Sequence, residues 1–236
     1  MYKSEVNNKN ANIAQVGTDN AKALFVSASV FQDIKDLEIV SVFGAWLSND
    51  VFYEDYVFNK FVLTTLKLKP CDFVMKYSNE YEKKGKASFF RFLTYEHLHN
   101  LIYKLKEIEN HKNGFMGFYK DDISQQKKTD KYAHDTLARI FGQNTGFQSQ
   151  KSNGTFFRFN LLLYWLTYKL KVWDIGISNN ALIPCNDKIF AKATDMGFFK
   201  HLPRTTLENA IYLTEIARRN YGDDEFYKLY EILLVS

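Results

Sequence analysis

Cysteine, proline and glycine are all scarce in this chain of 236 residues, with 2, 3 and 11 respectively. Cys71 and Cys185 lie far apart. They exclude a multi-bridge disulfide framework, a four-cysteine zinc site and a cysteine-ligated iron–sulfur cluster. So low a thiol content suits a reducing cytoplasm, which is the expected location. Few prolines and glycines argue against a turn-rich β architecture. A long apolar run is also missing. The best stretch, Phe156 to Leu170, is broken by Arg158, Asn160 and Lys169. It falls short of the about 20 apolar residues that span a bilayer. The first ten residues are polar, with Lys3, Glu5 and Lys9, and lack the apolar core of a secretory signal. No membrane association is expected.

The common enzyme signatures are absent too. There is no glycine-rich phosphate loop, no Gly-x-Ser-x-Gly elbow and no His-Glu-x-x-His spacing. The five histidines are His97, His99, His111, His134 and His201. His97 and His99 are two apart and point in different directions on a helix. These histidines read as surface or packing residues, so neither a metal nor a cofactor is expected.

Aromatic side chains are plentiful, at 17%, with 21 Phe and 15 Tyr. A hydrophobic share of 46% and a charged share of 25% describe an ordinary globular chain, long enough to bury a sizeable core. Apolar residues recur at helical spacing throughout. Thr18 and Asp19 can cap a helix carrying Ala23, Leu24, Ala28 and Phe31. Asp33 can cap a second, with Ile34, Leu37, Val40, Ser41 and Gly44 in step. A third fits Phe52 to Leu68, before Pro70. Thr94 and His97 form a variant capping box ahead of the stripe Leu98, Leu101, Ile102, Leu105 and Ile108, which Asn113-Gly114 should end. Lys120 to Asp130 reads as a polar surface loop. A short helix from Asp130 to Phe141 follows, then a long exposed loop from Gly142 to Gly154. Helices are expected over Thr155 to Lys171, from Asn186 to Gly197, over Arg204 to Asn220 and over Glu225 to Val235. The expected fold class is all-α. Residues 1–17 form a polar tail, and residues 18–236 form one compact helical unit.

The formal net charge is +4. From Lys127 to Arg158, six positive side chains (Lys127, Lys128, Lys131, Arg139, Lys151 and Arg158) face two negative ones, Asp130 and Asp135. The whole excess therefore gathers around the long polar loop. Lysine, arginine, serine, threonine, asparagine and glutamine are the side chains that contact phosphates without reading sequence. A solvated loop has the same composition, so this segment alone does not decide between the two.

The last third carries a family resemblance. Phe156-Phe157-Arg158-Phe159-Asn160-Leu161-Leu162-Leu163-Tyr164-Trp165 is followed by Trp173-Asp174-Ile175-Gly176 and by Ile183-Pro184-Cys185-Asn186-Asp187-Lys188. This order resembles a bacterial family remotely related to the helix-hairpin-helix DNA glycosylases of the endonuclease III-like superfamily. Members of that family read Lys-Arg-Leu-Asn-Leu-Phe-Leu-Arg-Trp-Met, then Asp-Leu-Gly, then Ile-Pro-Leu-Asp-Thr-His. Asp36-Leu37-Glu38-Ile39-Val40 with Ala45-Trp46, and Phe90-Arg91-Phe92, resemble its earlier parts. The resemblance runs through most of residues 20–235 with sparse identities.

The resemblance implies a two-lobed, all-α bundle with interleaved lobes and a duplex-DNA partner. It also implies a site near the starts of the Thr155 and Asn186 helices. In such glycosylases an aspartate after Ile-Pro stabilises the sugar cation, and a lysine can attack the sugar. The matching positions here hold Asn186 and Phe157. Asparagine lacks the full negative charge that stabilises a cation, and phenylalanine is no nucleophile. Two readings of Asn186-Asp187-Lys188 compete. In one, Asp187 and Lys188 or Lys151 take over the chemistry. In the other, Asn186 is a helix cap and Asp187 favours the helix dipole. Lys127, Lys128, Lys151 and Arg158 are the candidate DNA contacts, and Phe157, Asn160 and Trp173 the candidate pocket residues. The expected function is a DNA-binding protein with a degenerate glycosylase-like site, linked to DNA repair. The alternatives are an active base-excision enzyme using Asp187 with a displaced lysine, and a helical interaction protein without nucleic acid.

Overall fold

The computed structural model describes residues 31, 33–48, 69–90, 92–125, 131–147, 154–174 and 180–235. The helices expected from Thr18 and over Phe52 to Leu68, the tail over 1–17, and Lys127, Lys128 and Lys151 lie outside them. Nine α-helices and a single two-stranded ribbon occur among the described residues, so the chain is all-α. The chain divides into two compact units, each continuous in sequence, one up to Phe115 and one from Met116.

The first unit is built on α1 (Ile34–Leu47). Asp33 caps it, its side chain accepting from the Lys35 amide at 2.9 Å. Residues from Glu38 to Leu47 are all buried. A helix with apolar or small residues on every face has no side to give to water. α2 (Pro70–Lys76) begins with proline, whose missing N–H costs nothing at a helix start. An antiparallel ribbon, β1 (Ser88–Phe90) and β2 (Leu93–Thr94), leads into α3 (Tyr95–Glu109). Thr94 and His97 form the reciprocal capping box, with both bonds at 3.2 Å. The imidazole here does the work usually given to glutamate. All five residues of the α3 stripe are buried. The helix ends at Glu109, short of Asn113-Gly114, and Gly114 instead opens the next element at φ +62°. Glu109 is buried at that end. Lys35 stands 3.4 Å away, and burial pushes the carboxyl above its ordinary range.

The second unit takes in most of α4 (Gly114–Gln125) and all of α5 (Ala133–Phe141). α4 corrects the expected loop over Lys120 to Asp130, at least through Gln125. Phe115 and Tyr119 recur one helical turn apart, both buried, and carry the polar residues behind them into the helix. Arg139 of α5 donates to Asp122 of α4 through Nε at 2.8 Å. The expected exposed loop after Gly142 is also corrected in part. A short 3₁₀ turn at Gln143–Thr145 leads to Gly146 and Phe147, both buried. Phe147 stacks on Phe141 and on Phe159, each at 4.8 Å.

α6 (Phe157–Leu163) is buried throughout from Arg158 and widens into a π turn over Tyr164–Lys169. The Leu170 amide reaches back five residues to the Trp165 carbonyl at 2.8 Å. α7 (Asp187–Asp195), α8 (Leu207–Tyr221) and α9 (Tyr227–Val235) complete the unit. α7 and α8 both pack against α9. Tyr164 and Tyr168 donate to Glu231 and Glu225, each at 3.1 Å, tying the π turn to α9 and the turn before it.

Candidate functional site

Three segments of the second unit converge at the start of α6. Gly154 lies so close to the 205–206 backbone that an added Cβ would stand 1.8 Å from the Thr205 carbonyl oxygen. Only glycine allows that approach. The next residue, Thr155, donates its hydroxyl to the carbonyl of Cys185, one position before Asn186. Thr155 thereby joins the start of α6 to that of α7, and Gly154 joins it to the residues that lead into α8.

Between Thr155 and α6, Phe156 adopts φ +52°, ψ 36°, a left-handed conformation that a bulky side chain rarely takes. α6 has no side-chain cap of the ordinary kind at this residue. Asn160 supplies order from inside the helix. Its Nδ2 donates to the Thr155 carbonyl at 2.8 Å, which fixes the amide so that Oδ1 faces His134 Nδ1 at 3.2 Å. Oδ1 only accepts, so Nδ1 carries the proton. His134 is fully buried and lies flat on the Phe156 ring, 4.3 Å between centroids, with Tyr132 stacked at 5.4 Å. Its Nε2 finds no hydrogen bond among the described residues, and the Asp135 carboxylate is 3.5 Å away. Burial lowers the imidazole pKa, against smaller opposing effects of Asp135 and Asn160.

At the start of α7, Asn186 is the N-cap, and its Oδ1 accepts from the Ile189 amide at 3.0 Å. Asp187 is exposed in the first turn and accepts from the Thr205 hydroxyl. Lys188 is exposed beside it. Cys185 is wholly buried, which pushes its thiol pKa far up and leaves it a poor nucleophile.

The other candidates scatter. Phe157 is half-buried at the first position of α6, and Asn160 is buried three residues on. Trp173 is buried against Tyr119, with ring centroids 5.2 Å apart, outside the converging segments. Arg158 lies inside rather than on the surface. It is 5% exposed, and its guanidinium donates to the carbonyls of Gly146 and Phe147 at 3.1 and 3.3 Å. An arginine set in so apolar a run goes where its neighbours go, and there it orders the 146–147 turn. His134, read with the other histidines as a surface or packing residue, is buried and hydrogen-bonded. Gly154 and Thr205 carry no signal in sequence, because their role depends on a contact 51 residues apart.

Among the described residues, no group of three or more His, Cys, Asp or Glu side chains is placed to hold a metal ion. No helix among them is long and apolar enough to cross a membrane. Residues 25–225 match the model of a family described as protein of unknown function (DUF2400), and the chain belongs to that family. No curated protein and no solved structure matches it.

Proposed function

For this DUF2400 member we propose a DNA-binding protein, linked to DNA repair, that keeps the frame of a glycosylase site without its ionisable pair. The single observation that carries this reading is the meeting of the α6 and α7 starts through the hydrogen bond from Thr155 to the Cys185 carbonyl. A nucleophilic lysine and a stabilising carboxylate need that proximity. The two positions here hold Phe157 and Asn186. Asn186 is neutral, and its amide oxygen is engaged in capping α7. The α7 N-terminus is the positive end of its helix dipole, a setting that favours a backbone phosphate. Asp187 stands one residue on, which turns a helical side chain by about 100°.

Fluorescence polarisation with damaged and undamaged duplexes tests the proposal. Binding is expected at about 50 mM salt and should weaken steeply as salt rises, because phosphate contacts release counterions. No binding at low salt ends the reading. A second reading, an active base-excision enzyme, is favoured by one observation. Asp187 is an exposed carboxylate held in place by Thr205. Borohydride trapping of a lysine–sugar adduct, together with a base-release assay, separates the two. Base release by the wild-type chain that disappears in Asp187→Asn supports the second.

A further inference from the structure

The first unit contains a groove that the α6–α7 site does not use. It is an open depression of about 710 Å³ lined by Tyr77, Ser78, Asn79, Glu80, Lys83 and Tyr103. That volume lies within the range of small-ligand sites, about 300–1,000 Å³. Its aromatic wall is fixed from behind. Tyr77 shares a 3.0 Å hydrogen bond with His99 Nδ1 and accepts from the Tyr81 amide at 3.1 Å. His99 packs on Tyr103 at 4.7 Å, and Tyr77 meets Tyr103 edge-on at 6.0 Å. Tyr103 donates its hydroxyl to Asn79. The ring is nevertheless 45% exposed, so a face is held rigid and open to solvent.

Two charges flank that ring. Glu80 and Lys83 are exposed, and neither holds an ion pair among the described residues. Lys84 differs, since its ammonium sits 4.3 Å over the Tyr95 ring and also faces Tyr81. Lys83 is therefore the ammonium left for a ligand. A flat rigid ring stacks a base, an ammonium meets a phosphate, and a carboxylate accepts from an exocyclic amine. Thymine and uracil turn carbonyl oxygens where that amine would be, and Glu80 would repel them.

We propose that the Tyr77–Tyr103 groove binds one nucleotide of a single strand, stacked on Tyr103, with preference for bases that carry an exocyclic amine. This site is independent of the duplex reading, because its residues belong to the other unit. The test is polarisation of fluorescein-labelled oligo(dA), oligo(dC), oligo(dT) and a duplex on the full chain. Wild type should bind oligo(dA) and oligo(dC) about tenfold more tightly than oligo(dT). Tyr103→Ala should lose about tenfold on the amino-bearing strands, while Tyr103→Phe keeps the affinity. Glu80→Gln should raise oligo(dT) towards oligo(dA), and Lys83→Ala should weaken all three strands and flatten their salt dependence. Both of these positions are exposed, so their variants keep the fold. Equal binding of oligo(dA) and oligo(dT) by wild type, or an unchanged affinity in Tyr103→Ala, overturns the proposal. Duplex binding without single-strand binding overturns this site alone. Single-strand binding without duplex binding overturns the duplex reading and leaves the groove standing.

Discussion

α1 and α6 are both long-buried helices, yet they begin in opposite ways. α1 starts with Asp33 in an extended conformation, its carboxylate on the Lys35 amide, at an exposed position. α6 starts with a left-handed phenylalanine, no cap, and a buried histidine–asparagine pair holding the turn from within. The first start is a local solution that any water-exposed helix could use. The second depends on three other segments, and its polar groups are sealed from solvent. Where a chain departs this far from the cheap solution, the surrounding structure must over-determine the geometry.

The sharpest way to break the contrast is Gly154→Ala. The added methyl meets backbone rather than a movable side chain. A loss of about 3 kcal/mol is expected in denaturant unfolding. A loss below about 1 kcal/mol would show that the α6 start is not clamped against the 205–206 backbone. A pH series comes next. His134 is held neutral by burial, so its folded pKa lies below the unfolded value of about 6.5. The stability this gives is present above that value. It drains away as pH falls through the folded pKa, since the unfolded chain then binds more protons. In His134→Asn the amide nitrogen can still donate to Asn160, and this part of the pH dependence should vanish from the unfolding curves. A variant with the wild-type slope would place the acid sensitivity elsewhere. The smallest effect belongs to α1: Asp33→Ala removes one exposed cap and should cost about 1 kcal/mol. A loss comparable to that of Gly154→Ala would erase the distinction between the two starts.

Legibility in the sequence follows the same division. The α1 cap, the α3 stripe and the Thr94–His97 box can be read along the chain because each is a pattern within a few residues. The Asn186 cap is legible for the same reason. The burial of Phe147 is not, because glycine, asparagine, glutamine and serine surround it and its partners Phe141 and Phe159 are supplied by other elements. Arg158 is a partial case. Its positive charge beside the polar loop makes it a candidate DNA contact in sequence, and the structure buries it. The outcome was settled by the two carbonyls of the 146–147 turn, which no local pattern displays. His134 reads in sequence only as a surface or packing residue, and neither its burial nor its partner Asn160 is displayed along the chain.

The π turn after α6 has a consequence for how this chain tolerates length changes. An i→i+5 bond marks one residue more than an α-helical ladder needs. With that residue present, Tyr164 and Tyr168 stack on each other at 5.8 Å while reaching Glu231 and Glu225, and Lys169 joins Glu231 as well. Removing one residue between Tyr164 and Lys169 would restore regular pitch and rotate everything beyond it about the helix axis. The helix itself would gain regularity, while the Tyr168 phenol and the Lys169 ammonium would swing away from the acidic side chains that receive them, leaving Tyr164 behind. The surplus residue thus works as a gauge block, setting the angle at which the end of this helix meets the carboxy-terminal segment.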